Sequence, residues 1–333
     1  MADYDASSIV VLSAIEHVRR RPGMYVGDTD ARGLHHLAYW LLRDIFEWRP
    51  TPTHVFVTLE GDALTIEDDR RMPLPEPAQM RSLAEEIMAQ PHQSSSYYGC
   101  NDVTISNALA REFEFELWSD GVGLRSDYAR GQLQVEPRPF TPSSPHGCRI
   151  RLTPDETIFP NTTWTAGWLT ERLQVLAGLY RGVHVEFHNR NRGHTHEYMY
   201  PRGPASWIEQ LAPTCIPRPA LLASAVAGEL RCDVGLAWVK ASGNRIVGYA
   251  NTIHTRRGGA HTQGARDALG QLGHARGLHP FALVSVFLPQ PRFMSPVRDF
   301  LANQELRPFV RDTVAAALER AFEDDPDLRA LLR

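Results

Sequence analysis

At 333 residues, with 43% hydrophobic and 22% charged side chains, the chain is long enough for two ordinary domains and too apolar for wholesale disorder. A net charge of -4 excludes the overall basic field that drives non-specific DNA binding, and Lys240 is its sole lysine. Cys100, Cys148, Cys215 and Cys232 form no CxxC pair, which reads as a reduced cytoplasmic protein without a structural zinc site.

The start has no apolar core behind a basic flank, so no signal peptide is expected. No apolar run approaches the ~20 residues of a membrane span. Residues 9–19 read as a helix, stopped by Pro22-Gly23. Residues 34–48 follow as an amphipathic helix, with Leu34, Leu37, Leu41, Ile45 and Trp48 on its core face. His36, Trp40 and Asp44 are spaced by four and make a second stripe beside it. Two alternating strands flank Glu60-Gly61-Asp62, a hairpin signal. A short helix is expected over 81–90, a polar connection over 91–102, and a helix from 103 leading into a strand over 113–118. Strands at 147–155 and 183–189 enclose a helix over 168–180. The Pro-rich stretch 212–222 divides the chain into an expected first domain, 1–212, and a second, 213–333. Beyond it, strands are expected at 232–239, 245–251 and 281–289, with helices at 260–274 and 306–323. Strands and helices interleave without a β-α-β rhythm, which favours an α+β sandwich. His188, His194 and His196 fit a solvated hairpin better than a metal site. The arginines 19–21 complement a helix C-terminus, and no specific DNA binding is expected.

Residues 4–39, "YDASSIVVLSAIEHVRRRPGMYVGDTDARGLHHLAY", resemble the N-terminal arm and first helices of the DNA gyrase B and topoisomerase IV B proteins. "RRGGAHTQGARDAL" and "VSVFLPQPRFMSPVRDFL" resemble that family's transducer motif and switch loop. The resemblance runs through the whole chain in family order. It implies a Bergerat-type (GHKL) ATPase sandwich followed by a ribosomal-protein-S5-like transducer. It also implies a chain that stops before the family's cleavage domain, hence not a complete topoisomerase subunit.

Against that pattern the ATP chemistry is altered at every motif. The stripe that in the family holds a His, a general-base Glu and a magnesium-binding Asn reads His36, Trp40 and Asp44. Trp cannot take a proton from water, and losing a general base typically costs ~10²–10⁴-fold in rate. The adenine-binding motif reads "EDDRRMP". The best register, which needs no gap, puts Glu67 at the adenine carboxylate; a one-residue slip that would put Asp68 there requires a deletion in the following turn. Both family glycines become Asp69 and Arg71. The motif's arginine stays as Arg70, but the Glu it pairs with is Trp48. The glycine run of the phosphate lid is missing, and the lid lysine reads Tyr98. The Gly-Thr of the fourth motif is Gly147-Cys148, the arginine that meets aminocoumarins in the family is Ser119, and the switch-loop lysine is Arg298.

ATP hydrolysis by the family mechanism is therefore not expected, nor is a cofactor or a metal site, although Asp44 keeps an oxygen ligand that magnesium accepts. The retained arm, with Tyr4 and Ile9, implies a homodimer. Two functions remain open. In one, the former nucleotide pocket serves a small non-nucleotide molecule, with Asp44 and Glu67 as acid and base and His36 as relay. Trp40, Arg70, Tyr98, Ser119, Cys148, Tyr4 and Arg298 would line that pocket. In the other, the protein is a non-enzymatic pseudo-ATPase that pairs with or antagonises DNA gyrase.

Overall fold

The structure is a computed structural model that describes residues 13–47, 50–72, 74, 101–270 and 272–333. Ser13 opens the first helix, α1 (Ala14–Arg20). Its hydroxyl accepts the Glu16 N–H at 3.2 Å, and the Glu16 carboxylate accepts the Ser13 N–H at 2.8 Å. A short turn of helix, α2 (Gly23–Val26), and the long α3 (Ala31–Glu47) follow. Leu34, Leu37, Leu41 and Ile45 are all buried, so the apolar stripe of α3 faces the core as its spacing requires. Residues 9–12, Trp48, the helix expected over 81–90 and most of the polar connection after it lie outside the described residues.

The chain divides into two compact units, residues 1–173 with 184–197, and residues 174–183 with 198–333. The first contains β1 (His54–Glu60), β2 (Ala63–Asp68), α4 (Asn101–Ala108), β3 (Ala110–Ser119), β4 (Val122–Ala129), β5 (Gln132–Leu133), β6 (Arg138–Phe140), β7 (His146–Pro154), β8 (His184–Asn189) and most of β9 (His194–Met199). These strands form one sheet in the order β5-β4-β3-β7-β2-β1-β8-β9, with β6 on β4. The helix α5 (Ala166–Leu179) returns the chain so that β8 lies parallel to β1. The helix expected from 103 ends at Ala108, and the strand after it starts at Ala110, earlier than its apolar run suggests.

Strand alternation gives the sheet two unlike faces. Val55, Val57, Leu64, Ile66, Ile150, Leu152, Phe113, Phe115 and Leu117 stand in register on the inner face and are buried. The outer face carries a ladder of charges. Glu67 pairs with Arg149 at 2.8 Å, Arg149 with Glu116 at 2.8 Å, and Glu116 with Arg125 at 3.1 Å.

In the second unit, α6 (Pro204–Leu211) precedes a five-stranded sheet. Its strands are β10 (Ile216–Ala227), β11 (Leu230–Lys240), β12 (Arg245–Ala250), β13 (Ile253–His254) and β14 (Leu278–Phe287), ordered β10-β11-β14-β12-β13. The helices α7 (Ala260–Leu269), α8 (Leu306–Asp324) and α9 (Pro326–Leu332) complete it. Val234, Leu236, Trp238, Val284, Val310 and Val314 belong to its core. The Pro-rich stretch is an edge strand here, the place in a sheet where a residue without an N–H costs little. The helix expected over 260–274 ends at Leu269, with a 3₁₀ turn at His274–Arg276.

One buried carboxylate fastens α1 to the sheet. Asp155, just after β7, accepts from Arg19 at 2.7 Å, Arg130 at 3.0 Å, and the Thr157 N–H and hydroxyl at 3.0 and 2.7 Å. Arg19 also donates to the Ala108 carbonyl at 2.7 Å. Burial alone would raise the Asp155 carboxyl, but the bonds from Arg19 and Thr157 outweigh it and hold it down to about 2. Its stabilisation is therefore complete above the ordinary carboxylate value of 3.8 and is lost as the pH falls toward about 2. Asp155→Asn should lower the unfolding free energy at neutral pH by about 2 kcal/mol. It should also flatten the acid limb of a urea-denaturation pH series relative to the parent.

Candidate functional site

The stripe of α3 does not behave as one unit. Its first member, His36, is exposed, Trp40 is half-buried, and Asp44 is buried at 4% exposure. The His36 and Trp40 rings lie 5.9 Å apart, tilted by 30°. The Asp44 carboxylate lies 3.6 Å from the Arg43 guanidinium.

The end of β2 corrects the expected site. Glu67 pairs in register with Phe56 and Arg149, which places it on the outer face, and its carboxylate is held by Arg149. Asp68 pairs with Val55 and Cys148 and shares the buried inner face with Leu64 and Ile66. Glu67 therefore does not confront Asp44 across a cavity, and the carboxylate at the inner position is Asp68, as in the slipped register. A period-two strand cannot present adjacent residues on the same side. The signal lay in "ALTIED" itself: Leu64 and Ile66 are the core residues, and only Asp68 continues their alternation.

Asp68 is occupied. Arg70 donates Nε to one carboxylate oxygen at 2.7 Å and a terminal nitrogen to the other at 2.9 Å, while its backbone N–H adds a third bond at 3.0 Å. The two side chains are 0% and 1% exposed. This is the bidentate fork in which guanidinium meets carboxylate most strongly, and it is sealed from water. Each oxygen of Asp68 thus already has a donor from Arg70.

The turn after β2 is rebuilt around the missing glycines. Neither Asp69, Arg70 nor Arg71 has a positive φ, so the turn no longer needs glycine's conformational freedom. Asp69 accepts the Thr53 and His54 N–H groups at 2.8 and 3.0 Å and the Thr53 hydroxyl, and so clamps the start of β1. Burial pushes its carboxyl up, yet the Thr53 and His54 bonds hold it below the ordinary carboxylate value. Arg71 makes a solvent-exposed pair with Asp120 at 3.1 Å. Gly147 does need to be glycine: a Cβ there would lie 2.5 Å from the Trp118 ring and 2.6 Å from the Asp68 carbonyl.

Cys148 is buried beside Asp68 in register, and Ser119 lies on the same inner face at the end of β3, its hydroxyl 3.3 Å from Asp120. Arg298 belongs to the second unit. It is exposed, has φ 54°, and its guanidinium lies 5.9 Å from the centre of the Phe293 ring. Tyr4 and Tyr98 lie outside the described residues. Of the discounted histidines, His188 meets Glu186 at 3.1 Å and His196 stacks on Phe187.

This fold has solved counterparts. It superimposes on the 43K ATPase domain of Thermus thermophilus gyrase B, crystallised with an aminocoumarin, with a TM-score of 0.84 at 28% identity, covering 96% of this chain and 93% of that one. The DNA gyrase B structure from Myxococcus xanthus gives 0.82 at 26% identity, covering 96% and 99%. Residues 191–273 match the family model described as DNA gyrase B. The chain is a gyrase-B-like protein. The DNA gyrase B protein of Clostridium acetobutylicum is 27% identical over 99% of the gyrase-B-like chain, and that of Enterococcus faecalis 27% over 92%. The chain spans 58% and 54% of the length of these two relatives. Its α+β architecture, a mixed sheet followed by a second sheet-and-helix unit, is the expected one. No helix of the described residues is long and apolar enough to cross a membrane.

Removing one half of the buried fork should cost far more than removing both. Arg70→Met leaves an unpaired buried carboxylate and should lose about 3–5 kcal/mol in urea unfolding, whereas Asp68→Leu with Arg70→Met should recover most of that loss.

Proposed function

We propose that this gyrase-B-like protein is a pseudo-ATPase, a non-catalytic module that acts by pairing with its own kind or with intact gyrase. The observation that carries this reading is the sealed Asp68–Arg70 fork. The inner-face carboxylate, which only the slipped register of the resemblance sets at the adenine amino group, already has its donors from within the chain. A purine would have to displace a guanidinium tethered two residues away and break a buried, bidentate ion pair. Trp40 supports the same conclusion, because an indole N–H is a donor only and cannot accept a proton from water. The acid–base alternative has less support, since Glu67 turns to the outer face and is committed to Arg149.

What the resemblance leaves intact is the pairing apparatus: the arm that carries Tyr4 and Ile9, and the transducer-like second unit. Without nucleotide to drive arm closure, association depends on the protein's own surfaces. A regulator or self-resistance factor that enters a gyrase clamp needs no more chemistry than this.

Calorimetric titration with a non-hydrolysable ATP analogue, with and without magnesium, should give no heat and no thermal stabilisation. Micromolar binding would overturn the pseudo-ATPase reading. Added at equimolar ratio, the protein should co-purify with gyrase B or reduce supercoiling by the intact enzyme, and the absence of both would remove gyrase as its partner.

A further inference from the structure

The second unit carries an edge strand that is guarded along only half its length. Two independent features show which backbone groups of β10 face outward. Ala227 and Leu230 flank a two-residue turn whose first residue, Gly228, has φ 59°. In such a hairpin the flanking pair exchanges both hydrogen bonds, and every second pair does so behind it. Leu221, Ala223, Ala225 and Ala227 therefore bond to β11, while Ala220, Leu222, Ser224 and Val226 turn their N–H and C=O groups to the open edge.

Ala220 confirms that parity. Its N–H donates to the Glu209 carboxylate at 2.8 Å, and its carbonyl accepts from Arg202 at 2.9 Å. Arg202 and Glu209 are themselves an ion pair, so α6 and the turn before it cap this peptide as a neighbouring strand would. Pro217 and Pro219 protect the stretch before it. Beyond Ala220 the guard stops. No described residue bonds the outward backbone groups of Leu222, Ser224 or Val226, and Val226 is 72% exposed.

We propose that this open half of β10 pairs antiparallel with the same segment of a second copy of the chain, joining two five-stranded sheets across a two-fold axis. The segment "ALLASAVA", residues 220–227, carries no charge, so two copies meet without like-charge repulsion. A register centred on Ser224 sets Leu222 of each copy against Val226 of the other and Ser224 against itself, and all three residues exchange both backbone groups with the partner. Such self-complementarity is what an isologous interface requires. The contact is separate from the N-terminal arm and does not depend on the pseudo-ATPase reading.

Amide hydrogen exchange on the full chain, compared across about a hundredfold range of concentration, tests it locally. The Leu222, Ser224 and Val226 amides should exchange at least about tenfold more slowly at the high concentration. Val226→Lys, which places a charge on an exposed edge position, should abolish that difference while Ala223 and Ala225 stay protected by β11. Fast exchange of the three amides at both concentrations would overturn the proposal. So would slow exchange that neither dilution nor Val226→Lys changes, because the edge would then be covered within one chain.

Discussion

The first unit depends on a geometric constraint, the two-residue period of its strands. The strands β1, β2, β3 and β7 send alternate side chains to an apolar face and to an open, charged one. Val55, Ile66, Ile150 and Phe115 fill the first, and the Glu67–Arg149–Glu116–Arg125 ladder occupies the second. A one-residue change of register at β2 would invert every assignment along that strand, exposing Leu64 and Ile66. The hydrophobic cost of that inversion is what fixes Asp68, rather than Glu67, as the inner carboxylate.

Once Asp68 is committed to the interior, the rest of the site follows from the expense of buried charge. A carboxylate with no exposed surface needs a counter-charge or a ligand. Here Arg70, two residues on, provides it in bidentate form. The rebuilt turn makes this reach workable, because Asp69 fastens it to Thr53 and His54 and the chain passes through ordinary backbone conformations. The substitutions in "EDDRRMP" are thus connected: the losses of glycine and the capture of the aspartate belong to a single rearrangement.

The same economy recurs at Asp155, where a buried carboxylate draws in Arg19 from α1 and Arg130 from the turn after β4. Buried acids in this unit act as fasteners held by arginine. The second unit is fastened differently, by apolar packing between β11, β14 and α8, with the buried His261 held neutral and bonded to Thr255 at 3.1 Å. Burial holds the His261 ring well below the ordinary imidazole value, to about 3, so it does not add charge to that core at neutral pH.

The sequence by itself determined many of the elements, though not β4, α6 or the edge strand β10, together with the α+β class and the likeness to gyrase B, because hydrophobic periodicity and family motifs are local properties. Set against the gyrase B pattern, it also implied that the glycines, the general base and the lid lysine are replaced. It held the slip to Asp68 as an alternative, but a gapless alignment counts residues and takes no account of faces. The alternation of "ALTIED" already pointed from Leu64 and Ile66 to Asp68, and the tertiary structure decided it by supplying the partners in β1 and β7. Only the structure showed that Arg70 closes on Asp68, a contact two residues apart that no periodicity encodes. The Asp155 fastener and the half-guarded edge of β10 were invisible for a related reason. Each joins segments that are separate in the chain, and the identity of a partner across that separation is set by packing rather than by local sequence.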